Sequence, residues 1–338
     1  MLNWVKPFNI FCLLDNQQYN FEIPAFELLL GVGCKTNIDI NSGNAFAELK
    51  AFYNEQNDWL FGHLGYDLKN ETEQHLFSSN FDGIGFNDLH FFVPEIVIQL
   101  NNNELTIFCE GDADNIFSSI NLSCSVIEKT NNPVLAIKNR ISQEEYIPLI
   151  KQIQQHILRG DCYELNFCQE FYAENTSINP ISVYAELTAL SPNPFAALYK
   201  LNDKYCLCAS PERYLKKTGC KIISQPIKGT SSRNKENKQL DDLSKEALLS
   251  SNKERSENVM KLIEQYEQTK RGIFSGSIGY INPAGDFDFN VVIRSIMYNA
   301  TTQYLSFPTG GAITFYSDAV TEYEECLLKS AAIKQVLQ

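Results

Sequence analysis

The chain has 338 residues, 44% hydrophobic and 20% charged, which is enough to bury the core of one large or two ordinary domains and excludes a disordered polymer. Its formal net charge of -13 excludes broad nucleic-acid binding, and it obliges any anionic substrate to find a local cationic pocket. The N-terminal "MLNWVKPFNIFCLLDNQQYN" is broken by Lys6, Pro7, Asn9 and Asp15, so it is not a secretory signal, and no run reaches the length of a membrane span; a cytoplasmic protein without a membrane partner is expected.

Taken in chain order, "FFVPEIVIQL" and "NELTIFCEG" are β-rich runs around "NNN" and predict a hairpin. The polar "EKTNNPV" marks a seam between an N-terminal subdomain, 1–132, and a second region, 133–338, both parts of one sandwich. In "ISQEEYIPLIKQIQQHILRG", Ser142 and Glu145 form a capping box, and Tyr146, Leu149, Ile150, Ile153 and Ile157 draw a helical stripe. Gly160 stops that helix, and Pro148 predicts a local distortion within it. Strands follow in "CYELNFCQEFYA", "KYCLCAS" and "KIISQPIKG", then a helix through "LSKEALLSSNKERSENVM". The stretches "IFSGSIGYINPAGDFDFNVVIRSIMYN" and "QYLSFPTGGAI" predict three antiparallel strands, and "AVTEYEECLLKSAAIKQVL" a terminal helix. Runs of strands broken by a few long helices predict an α+β sandwich: two antiparallel sheets packed face to face, helices outside. The ten cysteines lack framework spacing and read as reduced core residues; Cys206 and Cys208 have no partner pair nearby to make a metal site.

Lys228, in "SQPIKGTSSR", stands where a buried strand ends. Such a lysine either snorkels to water or is a desolvated amine that can act as a nucleophile. Glu254 with Glu257, and Glu322 with Glu325, are acidic pairs at helical spacing. Each is by itself a solvated helix face; two such faces meeting could hold a hard cation such as Mg²⁺. Lys329 lies one turn beyond Glu325, as in an ordinary ion pair. Arg294, at the end of "DFDFNVVIR", could fork onto a carboxylate or pair with an acidic neighbour on an edge strand. Gly310 and Gly311 of "PTGGAI" could bring bare backbone N–H groups to an anion, or make a turn. Glu212 of "ASPERYL" could be a general acid if desolvated. His63, His75, His90 and His156 form no cluster, and His156 reads as structural.

The order of "GDCYELNFCQE", "SPNPF", "ASPERYL", "PIKGTSSR", "KERSENVM", "TKRGIFSGSIGYI", "GDFDFNVVIRS", "PTGGAI" and "EYEECLLKS" resembles the chorismate-binding enzymes. Within them the resemblance is greatest to the aminodeoxychorismate synthase component I branch, and "FGHLGYDLKNETE" fits the same branch. The resemblance implies the two-sheet fold and conversion of chorismate and ammonia to 4-amino-4-deoxychorismate, for para-aminobenzoate and folate. It makes Lys228 the nucleophile that attacks the ring and Glu212 the acid that protonates the departing hydroxyl. Glu254, Glu257, Glu322 and Glu325 become a Mg²⁺ site for the ring carboxylate; Arg294, Lys329, Gly310 and Gly311 become substrate contacts. The implied partner is a glutamine amidotransferase subunit supplying ammonia. Anthranilate synthases carry alanine at the position of Lys228, which argues against that activity.

The chain departs from the family in places. Glu164 stands where isochorismate and salicylate synthases keep a lysine, Phe274 where relatives often carry tyrosine, and "GTSSR" where "GTRPR" is usual. The family also places a long segment, with a catalytic histidine in an "HLVS"-like stretch and a "GAPK" loop, between "ENVM" and "TKRG". Here Met260 runs straight into "KLIEQYEQTKRG". The resemblance therefore predicts that Met260 and Lys261 are not joined by a peptide bond, whereas periodicity alone predicts one seamless helix. A chain truly lacking that segment would be a catalytically dead scaffold that binds chorismate or the amidotransferase.

Overall fold

The computed structural model describes residues 1–19, 26–73, 76, 78–123, 135–227 and 260–338. The first part contains β1 (Ile10–Asp15), β2 (Leu28–Val32), β3 (Thr36–Ile40), α1 (Ala45–Gln56), β4 (Leu60–Leu64), α2 (Lys69–Thr72), β5 (Leu89–Val93), β6 (Ile96–Asn101), β7 (Glu104–Cys109) and α3 (Ala113–Leu122). After the seam come β8 (Lys138–Asn139), α4 (Gln143–Leu158), β9 (Glu164–Ala173), α5 (Pro180–Leu190), β10 (Phe195–Leu201), β11 (Lys204–Ser210), β12 (Arg213–Thr218) and β13 (Lys221–Gln225). The last part holds α6 (Met260–Tyr266), β14 (Ser277–Ile281), β15 (Phe287–Asn290), β16 (Ser295–Asn299), β17 (Tyr304–Thr314) and α7 (Ala319–Val336).

These strands build a ten-stranded sheet, β7-β6-β2-β1-β10-β11-β16-β17-β9-β8, and a seven-stranded sheet, β13-β12-β15-β14-β4-β5-β3. Strand ladders in both are antiparallel. Cys12, Phe61, Ala197, Tyr199, Ile278 and Met297 fill the layer between the sheets. The opposite face of the larger sheet buries Leu198, Phe171 and Phe307 under Tyr184 and Leu187 of α5 and Ile333 of α7. The architecture is the expected α+β one, two face-packed antiparallel sheets with helices outside. No helix of the described residues is long and apolar enough to cross a membrane.

Local chemistry explains the boundaries. Ser142 and Glu145 close the capping box of α4. Asn102 and Asn103, with φ of 50° and 62°, make the tight turn between β6 and β7 that right-handed strand twist favours. Gly160 takes φ 83° just after α4, as a helix stop should.

Several expectations are corrected. The run "FFVPEIVIQL" is not one strand: it breaks at Pro94, so β5 lies in the smaller sheet and β6 in the larger. The glycine-rich region expected as three strands forms four, with β14 and β15 in one sheet and β16 and β17 in the other. Helix α4 runs from Gln143 to Leu158 without a break at Pro148. Strand β13, leading toward Lys228, is not buried; four of its five residues are exposed at a sheet edge among the described residues. Cys220 is exposed rather than part of the core. Met260 and Lys261 are consecutive residues of α6, so the expected unbonded junction does not exist. The polar seam "EKTNNPV" lies outside the described residues, as do "GTSSR" and "KERSEN".

Candidate functional site

Two weak sequence signals, "PTGGAI" and "EYEECLLKS", meet in space. Gly310 and Gly311 lie inside β17, not in a loop, opposite Cys168 and Phe167 of β9. Helix α7 packs along this ladder after an Asp318 cap on the Thr321 N–H. Lys329 Nζ donates to Gly310 O at 2.7 Å and lies 2.7 Å from Glu325 Oε1. A Cβ built on Gly311 would stand 3.2 Å from Glu322 Oε2, 3.6 Å from Lys329 Nζ and 3.7 Å from Glu325 Oε1. The missing side chain at 311 thus leaves room for two carboxylates and an ammonium. A Cβ on Gly310 would meet Phe167 O at 2.2 Å, which is backbone and cannot step aside. We expect Gly310→Ala to destabilise the fold by roughly 1–3 kcal/mol or more, as overpacking does. Gly311→Ala should fold near normally but displace the Glu322 carboxylate; thermal unfolding and ligand titration of both variants check this contrast.

Arg294 and Glu212 share a corner of the larger sheet. Ala209 N, on β11, donates to Arg294 O at 3.2 Å, and Val291 N donates to Glu212 O at 3.0 Å. Arg294 is not the end of a strand: it sits between β15 and β16 with φ 52°, in the left-handed region. Three residues later Met297 pairs with Ser306, and three residues beyond Ser306 lies Thr309, beside Gly310. Arg294 has no ion-pair or hydrogen-bond partner for its guanidinium among the described residues, and burial alone pulls its pKa down. Among the described residues this is a desolvated cation without a counter-ion, unlike an acid-paired edge arginine. Glu212 is half-buried in the turn after β11, its N–H bonded to Ser210 Oγ at 3.1 Å.

Lys228, Glu254 and Glu257 lie outside the described residues, as does His75. Glu164 is buried at the start of β9, and Phe274 is buried between the sheets. His156 contacts Tyr266 Oη of α6 at 2.8 Å and Asp161 at 2.7 Å.

The sequence reading missed the ion pair behind the glycines. Arg271 Nη2 lies 2.6 Å from Glu267 Oε1, and Arg271 Nε donates to Glu267 Oε2 at 2.9 Å. Glu267 Oε1 also accepts the Cys168 N–H, and Arg271 donates to Asn166 O, so the pair braces the β9 segment opposite the glycines. The four-residue spacing within "EQTKR" was the available signal. Burial pushes the Cys168 thiol up to about 12, so it is a protonated wall of the site rather than a nucleophile.

The described residues contain no group of three His, Cys, Asp or Glu side chains placed to hold a metal. They do contain half of the expected Mg²⁺ set: Glu322, buried, and Glu325, one-third exposed, reach the same space over Gly311. Carboxylate oxygens suit this hard cation, which keeps several waters as ligands. A small cleft of about 50 Å³ lies elsewhere between the sheets, lined by Phe26, Phe195, Tyr280 and Asp288 among others, and no described candidate site residue borders it.

The chain belongs to the chorismate binding enzyme family, whose profile matches residues 10–261 and 259–335. It is similar to an anthranilate synthase component I-like protein of Synechocystis, 24% identical over 381 aligned residues that cover 90% of this chain and 77% of that protein. It is also similar to aminodeoxychorismate synthase component 1 of Bacillus subtilis, 24% identical over 268 residues, 58% of this chain and 56% of that protein. The match therefore spans little more than half of the Bacillus enzyme. In fold it resembles the crystal structure of anthranilate synthase component I from Streptococcus pneumoniae, with a TM-score of 0.76, 19% identity and 94% of each chain covered.

Proposed function

We propose that this protein is an aminodeoxychorismate synthase component I, converting chorismate and ammonia to 4-amino-4-deoxychorismate, with ammonia from a glutamine amidotransferase subunit. The observation that carries the reading is Arg294, a desolvated guanidinium without a counter-ion among the described residues, set one residue out of register with the Gly310–Lys329 contact. A dianionic substrate such as chorismate supplies the missing charge. Arg294 takes one carboxylate in a forked hydrogen bond, and Lys329 offers a second cation over the glycines. Glu322 and Glu325, with Glu254 and Glu257, would hold the Mg²⁺, whose charge would offset a substrate carboxylate among so many glutamates. Lys228 provides the amine that attacks the ring, Glu212 gives its proton to the departing hydroxyl, and ammonia then displaces the lysine. Its presence distinguishes this reading from anthranilate synthase.

The test is incubation of the full chain with chorismate, Mg²⁺ and ammonium, followed by mass spectrometry. The expected product has an amine in place of the 4-hydroxyl, and Lys228→Ala should lose it. Glu325→Gln should raise the Mg²⁺ concentration needed for half-maximal activity by about tenfold, as one lost carboxylate ligand would. An unchanged Mg²⁺ requirement counts against the ligand role.

A second reading has its own support. The alignment with the Synechocystis protein, at 381 residues, is longer than the whole 338-residue chain, and the two profile matches meet at 259–261. Relatives thus carry residues that this chain lacks, consistent with a scaffold that binds chorismate without turning it over. Chorismate-dependent thermal stabilisation with no product would favour that alternative.

A further inference from the structure

The helix-covered face of β9 presents Leu165, Phe167, Gln169, Phe171 and Ala173. Four of these are apolar and sit in the cores beneath α4 and α7; the fifth is a primary amide only 2% exposed. Phe167 packs on Tyr146 of α4, with ring centroids 5.4 Å apart, and Phe171 lies 4.1 Å from Lys334 Nζ of α7. Gln169 emerges between them. Its cross-strand partner Thr309 donates from Oγ1 to Cys326 O of α7 at 3.3 Å. One turn along α7 is Ser330, fully buried, whose hydroxyl donates to Leu327 O at 2.7 Å and keeps its acceptor capacity. Neither Nε2 nor Oε1 of Gln169 meets a protein partner among the described residues. An amide in an apolar layer needs such partners, and a methionine of the same shape would not.

We infer that Gln169 is a positioning residue: together with Ser330 it holds one buried water between β9 and α7, and this tie sets the helix at the height that places Glu325 and Lys329 over the glycines. A buried water takes two to four polar partners, and the amide and hydroxyl supply donors and acceptors from both sides of the interface. Thr309 and Gly310 already fasten α7 to β17. The Gln169 bridge fastens it to the neighbouring strand, so the helix cannot rock about β17. The effect on ligand binding rests on the reading of this site as a chorismate site.

The experiment uses the full chain with Gln169→Met, Ser330→Ala and both together. Denaturant unfolding of the ligand-free proteins should be non-additive, because each single change removes the same bridge. Calorimetric titration with chorismate and Mg²⁺ should show about tenfold weaker binding for Gln169→Met at an unchanged or higher unfolding midpoint, a combination that a purely structural residue would not give. Additive unfolding effects overturn the bridge, and an unchanged Kd overturns the positioning role. If the parent protein binds no chorismate, it is the functional reading that fails, and the unfolding cycle alone decides the bridge.

Discussion

Arg294→Met is expected to weaken chorismate binding by about a hundredfold or more while leaving the protein as stable as before, or more so. The two halves of this result have one cause. The guanidinium is held in a half-buried corner where burial lowers its pKa and no carboxylate of the described residues answers it. In the free protein that desolvation is a cost, so an uncharged side chain of similar length relieves it. In the proposed complex the same guanidinium would meet a substrate carboxylate, and a bidentate charge-assisted pair is worth roughly 3 kcal/mol, which is more than a hundredfold in affinity. The backbone supports the assignment. A non-glycine residue at φ 52° carries backbone strain of the kind found at functional positions. Thermal unfolding and calorimetric titration of the same two samples test both halves. A variant that loses stability and binds chorismate as the parent does would show Arg294 to be a structural residue.

Much of the fold was legible because it follows from short-range chemistry. The α4 capping box, the Asn102–Asn103 turn and the terminal helix are written in a few adjacent residues. The partition of strands between sheets was not, because β5 and β6 look alike in composition and are separated only by Pro94 and Glu95, where the chain crosses from one sheet to the other. The residues that meet around Gly311 could be nominated from sequence, but their geometry could not. Spacing placed Glu325 and Lys329 one turn apart, as found at 2.7 Å, but the gap at Gly311 that admits them depends on the pairing of β17 with β9, over 130 residues away in sequence. The junction at Met260 shows where local periodicity stops informing: α6 is described only from Met260 onward, and the two profile matches meet at 259–261, where the resemblance places a segment that this chain lacks.

Between pH 6.5 and pH 5 the protein should lose about 3 kcal/mol of stability through two buried histidines, His63 and His90, and a variant without them should not. His63 and His90 face one another from β4 and β5, across the phenol of Tyr199 on β10, so the three rings join the two sheets. His63 Nε2 lies 2.9 Å from Asn87 O and so carries the proton there, leaving Nδ1 as the acceptor. A directed chain satisfies every contact: His90 Nδ1–H donates to Tyr199 Oη at 2.6 Å, and Tyr199 O–H donates to His63 Nδ1 at 3.3 Å. Both rings are neutral in this chain, and His90 Nε2 is left without a partner among the described residues. Protonating His63 sets two donors against each other at Tyr199; protonating His90 puts an N–H into an apolar layer beside Phe92. Burial is the main reason that both pKa values fall to about 4, with the charge of His90 also lowering His63 and that of Lys204 lowering His90. In the unfolded chain both histidines titrate near 6.5. Below that pH the unfolded state binds protons that the folded state refuses, so stability falls as pH drops and is fully present above about 6.5. The window from 6.5 to 5 lies above the ordinary carboxylate range, so the loss there reports on the imidazoles. Urea unfolding of the parent and of His63→Gln/His90→Gln at several pH values is the measurement. The glutamine pair should start less stable at pH 7 and change little across the window; equal slopes for both proteins would mean that the inter-sheet histidines are not the acid-sensitive contact.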